Sequence, residues 1–321
     1  MATNTMRAMV IERTGAPSEF VEAAVPYPER VDAEVLVRVM AAGVNRIDSE
    51  ARAGRGDSGG IPSFPAVLGH DFSGVVVESP YAAHPLRPGD AVYGMAPSPR
   101  GAGSYAEFVS VPALNVARKP ASLSHVEAAG VPVAALTAWG MTVDVGKAHE
   151  GQRMLIHAGA GGVGHLAVQF ASYFGAHVIA TGSHRNSGWL RELGAAEVVD
   201  YCSADFERTV RDVDVVVNLV DDVEVAARSF GVLRPSGMVV HAPAASWPAV
   251  SARAVASGVR ATGYAVTPDA ATLAVIARLL DSGDVRVYID DVYDLGEAAD
   301  AHARLEQRHT RGKLVLRVTD E

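Results

Sequence analysis

A short apolar run, Met154 to His157, leads into Gly159-Ala-Gly161-Gly162-Val163-Gly164, and an apolar-striped segment follows. Strand, glycine turn and helix, in that order, constrain the fold more than any other feature of the chain. Gly159 supplies a tight turn, Gly161 lets the backbone approach a ligand, and Gly164 lets helix and strand pack closely. Val163, Leu166, Ala167, Phe170 and Phe174 share one helical face, and Gly175 sits where a helix stop belongs. The free N–H groups and positive dipole end of that helix face an anion. Gly159, Gly161, Gly162, Val163 and Gly164 are therefore the expected contacts of a dinucleotide pyrophosphate. The alternative is a purely structural turn, since the chain has 31 glycines.

The chain has 321 residues, 49% of them apolar and 20% charged, enough for two domains of a globular enzyme. Its net charge of -9, with no basic cluster, argues against nucleic acid or an anionic membrane surface as partner. Residues 154–183 contain no Asp, Glu, Lys or Arg, long enough to span a bilayer. Their glycines and changing period fit a buried β-α-β unit instead. The first twelve residues show no apolar core before a cleavage-like site, so a cytoplasmic protein is expected. The single cysteine, Cys202, excludes an internal disulfide and reads as a buried or half-buried filler.

Up to about residue 122 the pattern is mostly β, with runs such as Glu34-Val-Leu-Val-Arg-Val39 and Ser73-Gly-Val-Val-Val-Glu78 between Gly/Pro turns. Beyond it, helical and strand periods alternate. Helices are expected at 124–143, 163–174, 187–193, 204–211, 222–229 and 268–282. Strands are expected at 154–157, 177–181, 197–200, 214–218, 237–241 and 313–318. The expected class is α/β, a doubly wound parallel sheet with helices on both faces. Pro243, Trp247 and Pro248 suggest an irregular loop over 243–256.

Several motifs occur in series: Ala42-Gly-Val-Asn-Arg-Ile-Asp48, Pro65-Ala-Val-Leu-Gly-His-Asp-Phe-Ser-Gly74, Leu86-Arg-Pro-Gly-Asp-Ala-Val-Tyr-Gly94 and Gly103-Ser-Tyr-Ala-Glu107. Leu136-Thr-Ala-Trp139, the glycine loop, Val199-Asp-Tyr201 and Thr310-Arg-Gly-Lys-Leu-Val-Leu316 complete them. Over almost its whole length the chain resembles the zinc-free, quinone-reductase-like branch of the medium-chain dehydrogenases/reductases. The resemblance implies a Rossmann domain at 123–266 inserted into a GroES-like catalytic domain formed by 1–122 and 267–321, with the active site in the cleft between them. It also implies a homodimer joined through sheet edges, here the segment 258–264. Zinc-dependent relatives carry cysteines where this chain has Asn45 and near Val133, and a histidine at His70. A three-ligand zinc site cannot be assembled from what remains, so His70 is expected as a hydrogen-bonded structural histidine and alcohol oxidation is disfavoured.

The adenosine ribose is read about 20 residues past the glycine loop, where NAD enzymes place an acid. Here Ala180-Thr-Gly-Ser-His-Arg-Asn186 has none. Ser183 and Arg185 suit a 2′-phosphate, the alternative being a solvated loop, and by resemblance Tyr201 meets that phosphate too. NADPH is the expected cofactor. The resemblance further implies hydride transfer to a quinone or an enone. Asn45 and Asp48 would then lie at the nicotinamide end and Thr137 would touch the ring. Asn45 is expected either to donate to a developing oxyanion or to satisfy a local turn, and Asp48 to orient its neighbours. Residues 49–57 lack the pocket tyrosines of some relatives, and no proton donor can be named. Arg46 and Arg52 are read either as oxyanion partners or as surface ion pairs.

Two other classes compete. Gly56-Asp-Ser-Gly-Gly60 copies a serine-protease nucleophile motif, but no histidine precedes His70 and the cysteines are missing. A low-turnover NADPH-binding sensor is the stronger rival.

Overall fold

The strand Val213–Asn218 is buried along all of its 6 residues, as a central parallel strand covered on both faces must be. It belongs to a 6-stranded sheet ordered Glu197–Asp200, His177–Gly182, Arg153–Ile156, Val213–Asn218, Leu233–His241 and Arg260–Gly263. Every pairing in that sheet is parallel. Counted along the chain, this is the 3-2-1-4-5-6 order of a doubly wound dinucleotide fold. Its switch point falls where Arg153–Ile156 and Val213–Asn218 adjoin, directly before the glycine loop. Leu155, Ile179, Val216 and Val239 form part of the core on this sheet.

The computed structural model describes residues 5–55, 61–97 and 103–319, so the Gly56–Gly60 motif lies outside the described residues. Two compact units divide the chain: Thr137–Val266, which holds the parallel sheet, and Met1–Leu136 with Thr267–Glu321. The second unit is mostly β. Its larger sheet runs Ile289–Asp294, Lys313–Arg317, Glu34–Val44, Asp71–Glu78, Ala91–Met95 and Val116–Arg118, with Phe108–Pro112 also paired to Glu34–Val44. Lys313–Arg317 lies antiparallel to Glu34–Val44, with Leu314 opposite Val44. Val37, Val39, Phe72, Val92 and Leu316 meet in the core beneath.

Several local expectations need correction. The helical stretch at 124–143 is broken into His125–Ala129, Pro132–Trp139 and a wider π turn over Gly140–Val145. Gly130 and Pro132 interrupt the first helix, as residues without a side chain or without an N–H do. A Cβ on Gly140 would lie only 1.8 Å from the Tyr264 hydroxyl, so any larger residue there would have to displace that ring. The helix expected at 204–211 is a single turn, Phe206–Thr209. The supposed loop at 243–256 contains the helix Trp247–Ala256, because Pro248 falls in its first turn, where no N–H is needed. Cys202 is exposed, not buried, because it follows the strand Glu197–Asp200 in a surface turn. The charge-free segment 154–183 is the β-α-β unit, with its helix at Gly164–Tyr173. No helix among the described residues is long and apolar enough to cross a membrane.

Candidate active site

In the parallel-sheet unit the glycine loop is anchored from below. Gly159 N–H donates to Thr181 O (2.9 Å) and Ala158 N–H to Thr181 Oγ1 (3.2 Å). Ala158 is held at φ 52°, a left-handed conformation that a non-glycine residue keeps only when its surroundings enforce it. The glycines differ in what a Cβ would meet. At Gly159 it would touch Ala180 Cβ at 3.0 Å, and at Gly164 it would lie 2.1 Å from Ala158 O. At Gly161 it would meet only Ala158 O, at 3.3 Å. Gly164 is thus required by packing, whereas Gly161 leaves room for a ligand. Gly162 and Val163 lead into Gly164–Tyr173, whose start carries no side-chain cap. Those residues fit a dinucleotide pyrophosphate.

His157 stands at the base of this loop. Its ring bonds Ser229 Oγ (2.9 Å) and Thr181 Oγ1 (3.3 Å), with Phe206 packed edge-on. Nothing in the glycine spacing announces it.

At the end of the second strand, Ser183 is half-buried and accepts from Asn186 Nδ2 (3.2 Å), while His184 and Arg185 are exposed. The neighbouring strand brings Tyr201 alongside, its N–H donating to Gly182 O (3.3 Å) and its side chain 58% exposed. Asp200 is the nearest carboxylate in the pairing, opposite Gly182. It is turned into its own loop, accepting from Cys202 N–H (3.0 Å) and Ser203 Oγ (3.1 Å). Thr137 lies buried in Pro132–Trp139.

The mostly β unit holds a second, separate cluster. Asp48, in the helix Arg46–Arg52, is fully buried and accepts from Asn45 N–H (3.0 Å) and His70 Nδ1–H (2.5 Å). Tyr105 Oη stands 3.5 Å from Asp48 and 3.1 Å from His302 Nε2. Burial opposes the Asp48 charge, but His70 and, farther off, His302 and Lys313 hold its carboxyl below the ordinary range. Its charge is thus held by the histidine and lysine around it.

Asn45 occupies the position next to it. Its Nδ2 donates to Asp71 Oδ2 (2.9 Å) and its Oδ1 accepts from Lys313. Asp71 also accepts from Val133 N–H (2.7 Å) and lies 3.5 Å from Lys313 Nζ. Burial pushes the Lys313 ammonium down and the Asp71 carboxyl up, each restrained by the other. The two arginines separate. Arg46 pairs with Glu50 at 2.6 Å, but Arg52 is 1% exposed and reaches Glu306, Gly15 O and His302. Arg52 therefore supports the interior, contrary to both expectations.

His157 and His302 yield a pH prediction. Burial pulls both imidazoles down to about 4. Each is buried neutral, so its stabilisation is complete above the unfolded value near 6.5 and is lost as pH falls toward 4. Between pH 7.5 and 5 each is expected to cost about 2 kcal/mol of stability. Urea midpoints at the two pH values check this, and His157→Gln makes the dependence shallower.

Residues 31–121 match the family model described as alcohol dehydrogenase GroES-like domain, and residues 193–316 the one described as zinc-binding dehydrogenase. The chain is 31% identical to NAD(P)H oxidoreductase RTN4IP1, mitochondrial, of Danio rerio, over 90% of this chain and 84% of the relative. It is 31% identical to an NADPH-dependent alkenal/one oxidoreductase, chloroplastic, of Arabidopsis thaliana, over 92% of this chain and 75% of the relative. The quinone oxidoreductase structure from Coxiella burnetii superposes with a TM-score of 0.93 at 34% identity, covering 98% of this chain and 100% of that one. The chain belongs to the zinc-free, quinone-oxidoreductase-like branch of the medium-chain dehydrogenase/reductase family.

For a member of that branch, the N-terminal cluster has an informative composition. The Asn45 amide is engaged by Asp71 and Lys313. Asp71, Lys313, Tyr105 and His302 all belong to the cluster, and sequence reading found none of them. Asp71, Tyr105 and Lys313 fall inside the motifs quoted above, but no role was read for them, and His302 falls in none.

Proposed function

We propose that this reductase passes a hydride from NADPH to a quinone or a similar electron-poor carbonyl acceptor, without a metal. The observation that carries the reading is the end of the strand His177–Gly182: Ser183 and Arg185 follow it directly with no acid among them, Tyr201 N–H bonds Gly182 O, and Asp200, opposite Gly182, is bound into its own turn. A 2′-phosphate would find hydrogen-bond donors and a guanidinium in this loop. The bound dinucleotide supplies the hydride.

The chain's own residues bind and orient. Gly159 to Gly164 hold the pyrophosphate, and Thr137 contacts the nicotinamide side. Asn45 presents its second amide proton to the acceptor oxygen, its orientation set by Asp71 and Lys313. Asp48 fixes the rings around it.

Replacing Arg185 with alanine should weaken NADPH about tenfold or more and leave NADH nearly unchanged, measured by fluorescence titration. Equal weakening of both would defeat the NADPH assignment. A second reading, reduction of 2-alkenals or enones, is favoured by the Arabidopsis thaliana relative. Following NADPH absorbance with 1,4-benzoquinone and then a short 2-alkenal decides between them by kcat/KM. Tight NADPH binding with no turnover on either would instead support the sensor.

The reading places the enzyme in the cytoplasm as a homodimer. The strand Arg260–Gly263 lies at the edge of the parallel sheet, open to pairing with a second copy. A stable monomer by light scattering would remove the dimer. Its lone cysteine forms no internal disulfide, which suits a reducing compartment, and cell fractionation tests that placement.

A further inference from the structure

Hydride transfer leaves a reduced carbonyl acceptor one proton short, and nothing in the sequence supplies it. The mostly β unit contains a cavity of about 440 Å³ whose wall includes Ile61, Phe64, Val67, Leu68, Asp48 and His70. Most of that wall is apolar. His70 is 3% exposed, and its Nδ1–H is committed to Asp48 Oδ1 at 2.5 Å. Its other ring nitrogen, Nε2, is buried and has no hydrogen-bond partner among the described residues. Proteins rarely leave such an atom unpaired without a use for it.

We infer that His70 is the proton donor of the reaction, its Nε2–H protonating the oxygen of a quinone- or enone-derived anion held in this cavity. This rests on the reductase reading above. Hydride arrival reduces the acceptor to an anion and oxidises the dinucleotide. The Nε2–H bond then breaks and an O–H bond forms, and the electron pair of the broken bond stays on Nε2. The neutral ring keeps its Nδ1–H on Asp48 and regains a proton from solvent.

Two charged groups face the ring, Asp48 from the helix Arg46–Arg52 and Asp71 from the next strand. Burial opposes a charge on His70, but Asp48, with Asp71 farther off, outweighs it and holds the imidazolium above its ordinary range. Tyr105, His302 and Lys313 bear on the ring through Asp48. In this pair the carboxylate fixes the tautomer and the orientation of the donor, as in other acid–base histidines.

The test compares acceptors whose reduced anions differ in basicity. A short 2-alkenal gives a strongly basic enolate, whereas tetrachloro-1,4-benzoquinone gives an acidic hydroquinone that needs no donor. In the wild-type enzyme, kcat/KM for the alkenal should fall as pH rises through a group above about 6.5, and the chlorinated quinone should show a much flatter profile. His70→Gln keeps an amide donor but cannot titrate, and should cost about 10²-fold on the alkenal. That loss should exceed the loss on the chlorinated quinone by at least about tenfold, on the same Brønsted reasoning. NADPH affinity of His70→Gln, read by fluorescence, should match wild type, and nitrogen NMR of the free protein should show His70 titrating above ordinary histidine.

Equal losses on both acceptors, or a His70 that titrates below the ordinary range, would overturn the donor role and leave the reductase reading standing. Wild-type protein that reduces neither acceptor would sink that reading, and the donor role with it.

Discussion

Gly161→Val is expected to abolish measurable NADPH binding while leaving the thermal midpoint within about 3 °C of wild type. A Cβ at Gly161 meets nothing closer than Ala158 O at 3.3 Å, so the added side chain occupies the space that a pyrophosphate would fill. The companion change, Gly164→Val, is expected to do the opposite kind of damage. Its Cβ would lie 2.1 Å from Ala158 O, a backbone atom that cannot rotate away, and 2.8 Å from Gly159 Cα. Overpacking of this sort costs about 1–3 kcal/mol and here should reach the upper end. Calorimetry and fluorescence titration on the two variants separate the roles. Equal loss of stability in both would show that Gly161 is also a packing glycine and would weaken its assignment to the ligand.

The second large effect concerns the buried pair in the mostly β unit. Lys313→Met removes the only cation touching Asp71 Oδ2 and Asn45 Oδ1 among the described residues. It leaves Asp71, which is fully buried, with Asn45 Nδ2 and Val133 N–H alone to satisfy a carboxylate. Removing one partner of a buried ion pair costs about 3–5 kcal/mol, because an uncompensated charge remains inside. Adding Asp71→Asn should recover a substantial part of that loss, since the amide has no charge to solvate. A double-mutant cycle by urea denaturation measures the coupling. If the second change deepens the loss instead, the pair is held for packing and its charges are incidental.

The legibility of this protein in its sequence divides by distance along the chain. The strand Arg153–Ile156, the helix Gly164–Tyr173 and the strand His177–Gly182 were readable because a change from strand to helical period is written within a dozen residues. The neighbouring ends of the strands His177–Gly182 and Glu197–Asp200 were readable too, because a parallel sheet puts such ends side by side, and the pairing of Gly182 with Asp200 does so here. The helix Trp247–Ala256 was misread because proline in a first turn looks, locally, like proline in a loop. Arg52 was misread for a different reason: surface position is the default for arginine, and its partners Gly15, His302 and Glu306 come from both ends of the chain.

By itself, then, the sequence determined a doubly wound dinucleotide fold, the absence of the cysteines a catalytic zinc needs, and the absence of an acid after the second strand. These follow from which residue types occur within one strand–turn–helix unit, where backbone geometry is local. Only the tertiary structure decided that Lys313 seats its ammonium on Asn45, 268 residues away, that Tyr105 bridges Asp48 and His302, and that the His70 ring is buried against Asp48. No period or spacing announces such contacts. Each depends on burial, and burial makes a charged or polar side chain find its partner wherever the fold brings one within reach.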